Sequence, residues 1–284
     1  MSKRYGRVLA AMVAGLTAPQ HPWRRASTRL RVANALFQTH EIATRHGPLR
    51  FITSHPGELY QPRDLAGREP ETIEWIDGFE APCTFWDIGA NVGTYTLYAA
   101  LRPGIATLAF EPSPASYAAL CRNIEANGSG ERVQAFCVAL SSHTQVGHLN
   151  MSATSPGNSF NSFESTEDCF GRPLAVTFKQ STIGFGVDDF RRLFGVPPPN
   201  YLKIDVDGVE EQILDGAAET LTDPALRSVL IELEDTETPR NARIIERLER
   251  AGFALSLMGR NQGGCANGIF TRPRPAELSP GSRQ

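Results

Sequence analysis

Three short stretches hold the residues whose types and spacing could do chemistry. The first is Asp87-Ile88-Gly89-Ala90-Asn91-Val92-Gly93, set between an apolar run and a helical one. Glycines let a backbone turn sharply and approach a ligand, and the next helix offers unpaired N–H groups to an anion. The second is Glu111, just after the apolar run Ala106–Phe110. A carboxylate at that strand end can accept two hydrogen bonds from ribose hydroxyls. The third runs from Tyr201 to Glu211 and brings Asp205, Asp207 and Glu210 to the end of a strand and the first turn of a helix. Asp205 could be a general base for a hydroxyl, a ligand to a divalent cation, or an anchor for an ammonium group. Glu210 and Glu211 also suit the positive end of a helix. Lys203 alternates with Asp205 on one strand face, which leaves an ion pair open.

The glycine motif distinguishes two anions. Asp87 would repel a pyrophosphate, and Gly-x-Asn-x-Gly departs from the dinucleotide pattern Gly-x-Gly-x-x-Gly. Both features suit S-adenosylmethionine better, with its carboxylate on the turn and its α-ammonium on Asp87, directly or through water. They weigh against the first rival, an NAD-binding oxidoreductase on a similar sheet. The acids at three strand ends weigh against the second, a non-catalytic scaffold.

Around these stretches, short apolar runs alternate with helical patterns. Strands are expected over Phe85–Ala90, Ala106–Phe110, Val133–Leu140, Tyr201–Val206 and Ser228–Leu233, with two last ones over Phe253–Met258 and Gly268–Arg272. Helices are expected over Thr94–Leu101, Pro114–Asn127, Val209–Leu221 and Arg240–Ala251. Such alternation implies parallel βαβ units with right-handed crossovers. Ahead of them, residues 1–80 read as an N-terminal extension, helical to about residue 47, with a short strand near Phe51 and a helix from Glu69 to Gly78. The alternating α/β domain is expected over 81–272. Residues 141–186, rich in Ser, Thr, Asn and Gly, read as a long irregular insertion, and 273–284 as a disordered tail.

The chain has 284 residues, 41 % of them hydrophobic, and a formal net charge of −3. That supports a packed core and gives the chain as a whole no basic excess. No Asn/Asp-Pro-Pro-aromatic motif for a flipped base is present, so no nucleic-acid partner is expected. The scattered cysteines form no CxxC, which fits reduced thiols and a cytoplasmic location. Lys3, Arg4 and Arg7 precede the apolar stretch Val8–Leu16 in the outline of a signal peptide. The stretch is too short to span a bilayer and lacks a small-residue cleavage site, so a peripheral helix is expected. Nothing in the sequence sets the oligomeric state.

The order DIGANVGTYTL, AFEPSP, NIEANG, VQAFCVALS, VDDF, YLKIDVDGVEEQILDGAAETL and VLIELE, preceded by REPETIEWID, resembles the FkbM family of methyltransferases. The likeness spans about residues 45–270. It implies an α/β, Rossmann-like fold: a mostly parallel seven-stranded sheet with its last strand antiparallel and helices on both faces. It also implies methyl transfer from S-adenosylmethionine, usually to a hydroxyl oxygen, on a small-molecule, sugar or glycan acceptor. By position, Asp87, Gly89, Asn91 and Gly93 would line the methionine end, Glu111 would hold the ribose, Ala139 and Leu140 would lie beside the adenine, and Asp205 would sit near the reacting centre. Asp207 stands where the family has glutamate, one methylene shorter. Asp205 and Asp207 are the candidate ligands should Mg²⁺ be a second cofactor. His143 and His148 in the insertion are alternative bases, and Tyr95 could face the acceptor. The insertion and the extension are expected to shape the acceptor pocket.

Overall fold

The computed structural model describes residues 2–168, 170–234, 238–259 and 264–273. The expected disordered tail therefore lies, apart from Pro273, outside the described residues. The chain opens with two helices, α1 (Ser2–Thr17) and α2 (Pro22–Ala35), then a hairpin of β1 (Gln38–Thr44) and β2 (Gly47–Thr53). The extension is thus strand earlier than expected, because the hairpin turn falls at Arg45-His46. After two 3₁₀ turns come α3 (Leu65–Arg68) and α4 (Pro70–Asp77), with Pro70 at the first helical position, where its missing N–H costs nothing.

The βαβ series follows: β3 (Cys83–Ile88), α5 (Thr94–Ala100), β4 (Ile105–Phe110), α6 (Pro114–Ala126) and β5 (Val133–Phe136). Then come β6 (Ala139–Ser141), β7 (Gln145–Met151), β8 (Asn161–Phe163), β9 (Phe178–Gly186) and α7 (Val187–Phe194). The chain resumes with β10 (Tyr201–Ile204), α8 (Glu210–Asp215), α9 (Ala218–Thr222), β11 (Ser228–Glu234), α10 (Pro239–Arg250), β12 (Ala254–Met258) and β13 (Cys265–Thr271).

The main sheet has seven strands in the order β12-β13-β11-β10-β3-β4-β5. β5, β4, β3, β10 and β11 are parallel. The last strand, β13, is antiparallel to β11 and β12 and lies between them. Side chains alternate across the strands, so two cores form. Trp86, Ile88, Leu108, Phe110, Leu202 and Ile204 pack on one face with Phe190, Ile213 and Leu248. Phe85, Ala109 and Tyr201 pack on the other with Leu97, Leu120 and Ile76. That second core also takes Leu49 and Phe51 of β2. The backbone of β2 is tied to α6 by side chains: Arg50 N–H donates to Asn127 Oδ1 (2.9 Å) and Ile52 N–H to Asn123 Oδ1 (2.9 Å).

Three expectations are corrected. Val133–Leu140 is not one strand: the chain leaves the parallel sheet after Phe136, and β6 pairs with β9 instead. Residues 141–186 are only partly irregular: β7, β8 and β9 within them form a second sheet with β6, in the order β6-β9-β7-β8, joined by long loops. Its glycines misled the reading. A Cβ at Gly147 or Gly184 would overlap the Phe163 ring, so both make room for a core aromatic within strands. Finally, the helix after Asp207 is two, α8 and α9, broken at Gly216, whose missing side chain lets the Ser141 carbonyl and Gly186 backbone come close. No helix among the described residues is long and apolar enough to cross a membrane.

Candidate active site

Gly89 brings two strand ends together. It sits at φ +86°, and a Cβ there would overlap the Asp205 carbonyl oxygen, so only glycine lets the β3 turn lie against the end of β10. Gly93 is favoured by its backbone, at φ +89°, with the Leu120 side chain against it. Both glycines serve the packing of the turn itself.

A polar cavity of about 70 Å³ opens above this turn at the carboxyl ends of β3, β4 and β10, where open α/β sheets bind ligands. Gly89, Asn91, Glu111, Asp205 and Asp207 line it. Gln61 of the extension and Asn158, Ser159 and Asn161 of the insertion complete its wall. An apolar cavity of about 30 Å³ adjoins it, lined by Phe110, Ala139, Leu140, Leu149 and Phe163 among others. Gly89, Pro112, Asn161 and Val206 belong to both, so they are the two halves of one cleft. A larger cavity of about 560 Å³ lies at the other end of the sheet, against Tyr201 and Ser228 at the starts of β10 and β11. That end holds none of the residues singled out by chemistry.

Glu111 is buried and its carboxylate accepts from the Asn91 N–H (Oε2, 2.8 Å) and the Ser113 N–H (Oε1, 2.8 Å). Burial outweighs these bonds and pushes its pKa up to about 7, with Asp207 and Asp87 adding to the rise. Asp207 accepts from the Asn161 N–H at 3.0 Å. Burial likewise raises its pKa to about 6, although the Asn161 and Phe160 N–H groups oppose this. Phe160 lies in the left-handed region at φ +62°, a conformation rare for a bulky residue. It is held where consecutive N–H groups of the insertion meet Asp207.

Asp205 is half-buried and accepts from Lys203 Nζ at 2.5 Å. The ion pair left open by the alternation is therefore made. Lys203 is fully buried, 3.9 Å from Asp87 Oδ1, and its ammonium lies 5.0 Å from the centre of the Tyr95 ring. Burial pulls the ammonium pKa down, but Asp205, Asp87 and Glu69 more than restore it and leave it raised. Asp87 turns away from the cleft: Oδ2 accepts from Thr96 Oγ1 at 2.5 Å, and burial raises its pKa against the pull of Lys203. Glu69, from the extension, joins the same cluster and accepts from Thr72 Oγ1 and Asn267 Nδ2, each at 3.1 Å.

The structure thus gathers Gly89, Asn91, Glu111, Ala139, Asp205 and Asp207 around one cleft. Asp87 stands one lysine behind it, Gly93 lies under the turn, and Tyr95 is buried against Lys203. Glu210 does not converge with the other acids but is buried against Arg240. His143 meets Ser142 and His148 meets Glu164, and neither lines the cleft. Gln61, Asn158, Ser159 and Glu69 went unnoticed in the sequence. Pro-Gly-Asn-Ser at 156–159 marks a turn, but only the fold places it over the site. The residues do not fit a divalent cation: Asp205 is committed to Lys203 and Asp207 to Asn161. Among the described residues no group of three or more His, Cys, Asp or Glu could hold a metal ion.

This sheet order with a strand-end cleft, half acidic and half apolar, defines a Rossmann-like fold built for a nucleoside-bearing cofactor. The profile of the methyltransferase FkbM domain matches residues 87–255. The chain belongs to the FkbM family of S-adenosylmethionine-dependent methyltransferases. Hexuronic acid methyltransferase AglP of Haloferax volcanii is 25 % identical over 221 residues, 75 % of this chain and 82 % of that one. Methyltransferase 1 of Beauveria bassiana is 31 % identical over 186 residues, 60 % of this chain and 72 % of that one. Among solved structures, a SAM-dependent methyltransferase from Agrobacterium tumefaciens aligns at TM-score 0.47 and 8 % identity, over 84 % of this chain and 71 % of that one.

Proposed function

We propose that this methyltransferase O-methylates a hydroxyl on a small molecule, sugar or glycan. The observation that carries this is the divided cleft, in which Glu111 marks the polar half and Ala139 and Leu140 the apolar half. S-adenosylmethionine would supply an activated methyl group on a sulfonium. Glu111 would accept hydrogen bonds from its ribose hydroxyls, and Ala139 and Leu140 would pack on its adenine. The methionine end would lie over Gly89 and Asn91 toward Asp205. The hexuronic acid specificity of the Haloferax relative favours a carbohydrate acceptor here.

Transfer to an alcohol needs alignment, exclusion of water and removal of one proton. Asp205, fixed by its ion pair with Lys203, orients the cationic methionine end or the acceptor at the reacting centre. Asp207 accepts the hydroxyl proton, because it lines the same cavity and its pKa of about 6 lies near working pH. The cleft is narrower than cofactor pockets generally are. Asn158 and Ser159 of the 152–160 segment, whose Gly157 N–H donates to Ser116 Oγ at 3.2 Å, form its wall on the insertion side. Calorimetric titration with S-adenosylmethionine and S-adenosylhomocysteine tests the cofactor, and methylation of hydroxylated acceptors, hexuronates first, tests the reaction. Absence of cofactor binding by the folded protein would overturn both.

A further inference from the structure

We propose that the α1–α2 hairpin docks the enzyme onto an anionic membrane surface, lying on the bilayer without crossing it. Seven of the chain's 28 basic residues and none of its 31 acidic ones fall in the first 40 positions. Since the whole chain is net negative, the remainder is strongly acidic, and this one element carries a net positive charge with no acid to offset it. Tyr5, Val8, Leu9, Met12 and Leu16 recur at helical spacing and form one stripe along α1. All five are between 53 and 78 % exposed. Arg4 and Arg7 flank that stripe on the helix. On α2, Trp23 (81 % exposed) and Leu30 (65 %) share one face, with Arg24 and Arg31 beside it.

The hairpin is a defined unit. Arg29 Nε donates to Thr17 Oγ1 (2.8 Å) and its terminal nitrogen to the Ala14 carbonyl (3.1 Å), while Thr28 Oγ1 donates to Gln20 Oε1 (3.0 Å). These bonds fix the two helices to each other and leave the large apolar side chains facing outward. An apolar stripe with Trp and Leu, flanked by arginines, is the pattern of a helix lying in the headgroup region. At 16 residues α1 is about 24 Å long, short of the hydrocarbon thickness, which agrees with an in-plane position. Charge settles the occupant. A second copy would set two all-basic hairpins against each other, whereas anionic headgroups complement the arginines and the acyl boundary accepts the stripe.

Cosedimentation of the full chain with lipid vesicles tests this, with Trp23 fluorescence as a second reading. Binding to phosphatidylglycerol-containing vesicles, weak binding to pure phosphatidylcholine, and loss at high salt are expected. The exposed-face variant Leu9→Asp/Met12→Asp and the charge variant Arg4→Glu/Arg7→Glu should each lower partitioning at least about tenfold. S-adenosylhomocysteine affinity should stay unchanged in both, so failure here is distinct from failure of the proposed reaction. No binding to anionic vesicles, equal binding to neutral ones, or undiminished binding by the Leu9→Asp/Met12→Asp protein would overturn the proposal. So would a dimer that vanishes in that variant while vesicle binding is absent.

Discussion

Two groups of buried carboxylates flank Gly89, and they are compensated in different ways. On one side, Asp87 and Asp205 share the ammonium of Lys203, which lies out of solvent, and Glu69 feels that ammonium and also the guanidinium of Arg68, 3.5 Å away. On the other, Glu111 and Asp207 have no such cation and rely on backbone N–H groups of Asn91, Ser113 and Asn161. A lysine supplies a full charge, so Asp87 and Asp205 in the first group depend chiefly on one residue for their compensation. Backbone dipoles supply partial charge, so the second group stays near its point of protonation and can respond to pH and ligand. In the proposed function the first group fixes Asp205 at the cleft, and the second responds to cofactor and acceptor there.

The sharpest way to break this contrast is Lys203→Met. It removes the cation beside fully buried Asp87 and half-buried Asp205 and leaves Glu69 with Arg68 alone, and a loss of about 3 kcal/mol or more is expected in urea unfolding. A loss under about 1 kcal/mol would mean that the cluster does not depend on its lysine. Next in size, Glu111→Ala should raise the dissociation constant for S-adenosylhomocysteine by about thirtyfold, through loss of hydrogen bonds to a charged group. Circular dichroism should show the fold retained, and an unchanged constant would remove Glu111 from the cofactor site.

The pH response is expected to be smaller. Ribose hydroxyls donate best to the ionised carboxylate, and Glu111 titrates at about 7 in the folded protein. Affinity should therefore weaken by about tenfold from pH 8 to pH 6, and Glu111→Gln should flatten the profile. The stability effect has the opposite direction. The folded pKa lies above the ordinary value of 4.5, so the folded state holds this proton more tightly. Its contribution to stability is then greatest at low pH and declines as pH rises from about 4.5 through 7. Glu111→Gln should reduce that decline in chemical denaturation. The smallest effect is assigned to Asn158→Ala: acceptor KM up by a few-fold, with cofactor affinity within about twofold. A change in cofactor affinity alone would move the insertion from the acceptor to the cofactor side.

Most of the parallel sheet was legible because each buried strand is a short apolar run and each crossover helix shows one apolar face. Trp86 and Ile88 against Phe85 are an example, since local alternation already separates the two cores. The inserted sheet was not legible. Gly147 and Gly184 read as loop residues, yet they are strand positions emptied to admit Phe163 from a third strand. In the site, Glu111 and Asp205 could be placed from strand ends, whereas Asn91 came from the glycine turn and Ala139 from the family resemblance. The inward turn of Asp87 could not, because it depends on β10 lying beside β3 with Lys203 in register with Asp87.

The sequence by itself determined the order of most elements, the acids at the strand ends and the absence of acidic residues from the first 40 positions, because these follow from local pattern and composition. Only the tertiary structure decided which acids share Lys203, which face the cleft, and that residues 156–161 and Gln61 close over it. Those outcomes depend on strand order and on contacts between distant segments, where burial sets the cost of each charge and the nearest available donor or cation decides how it is offset.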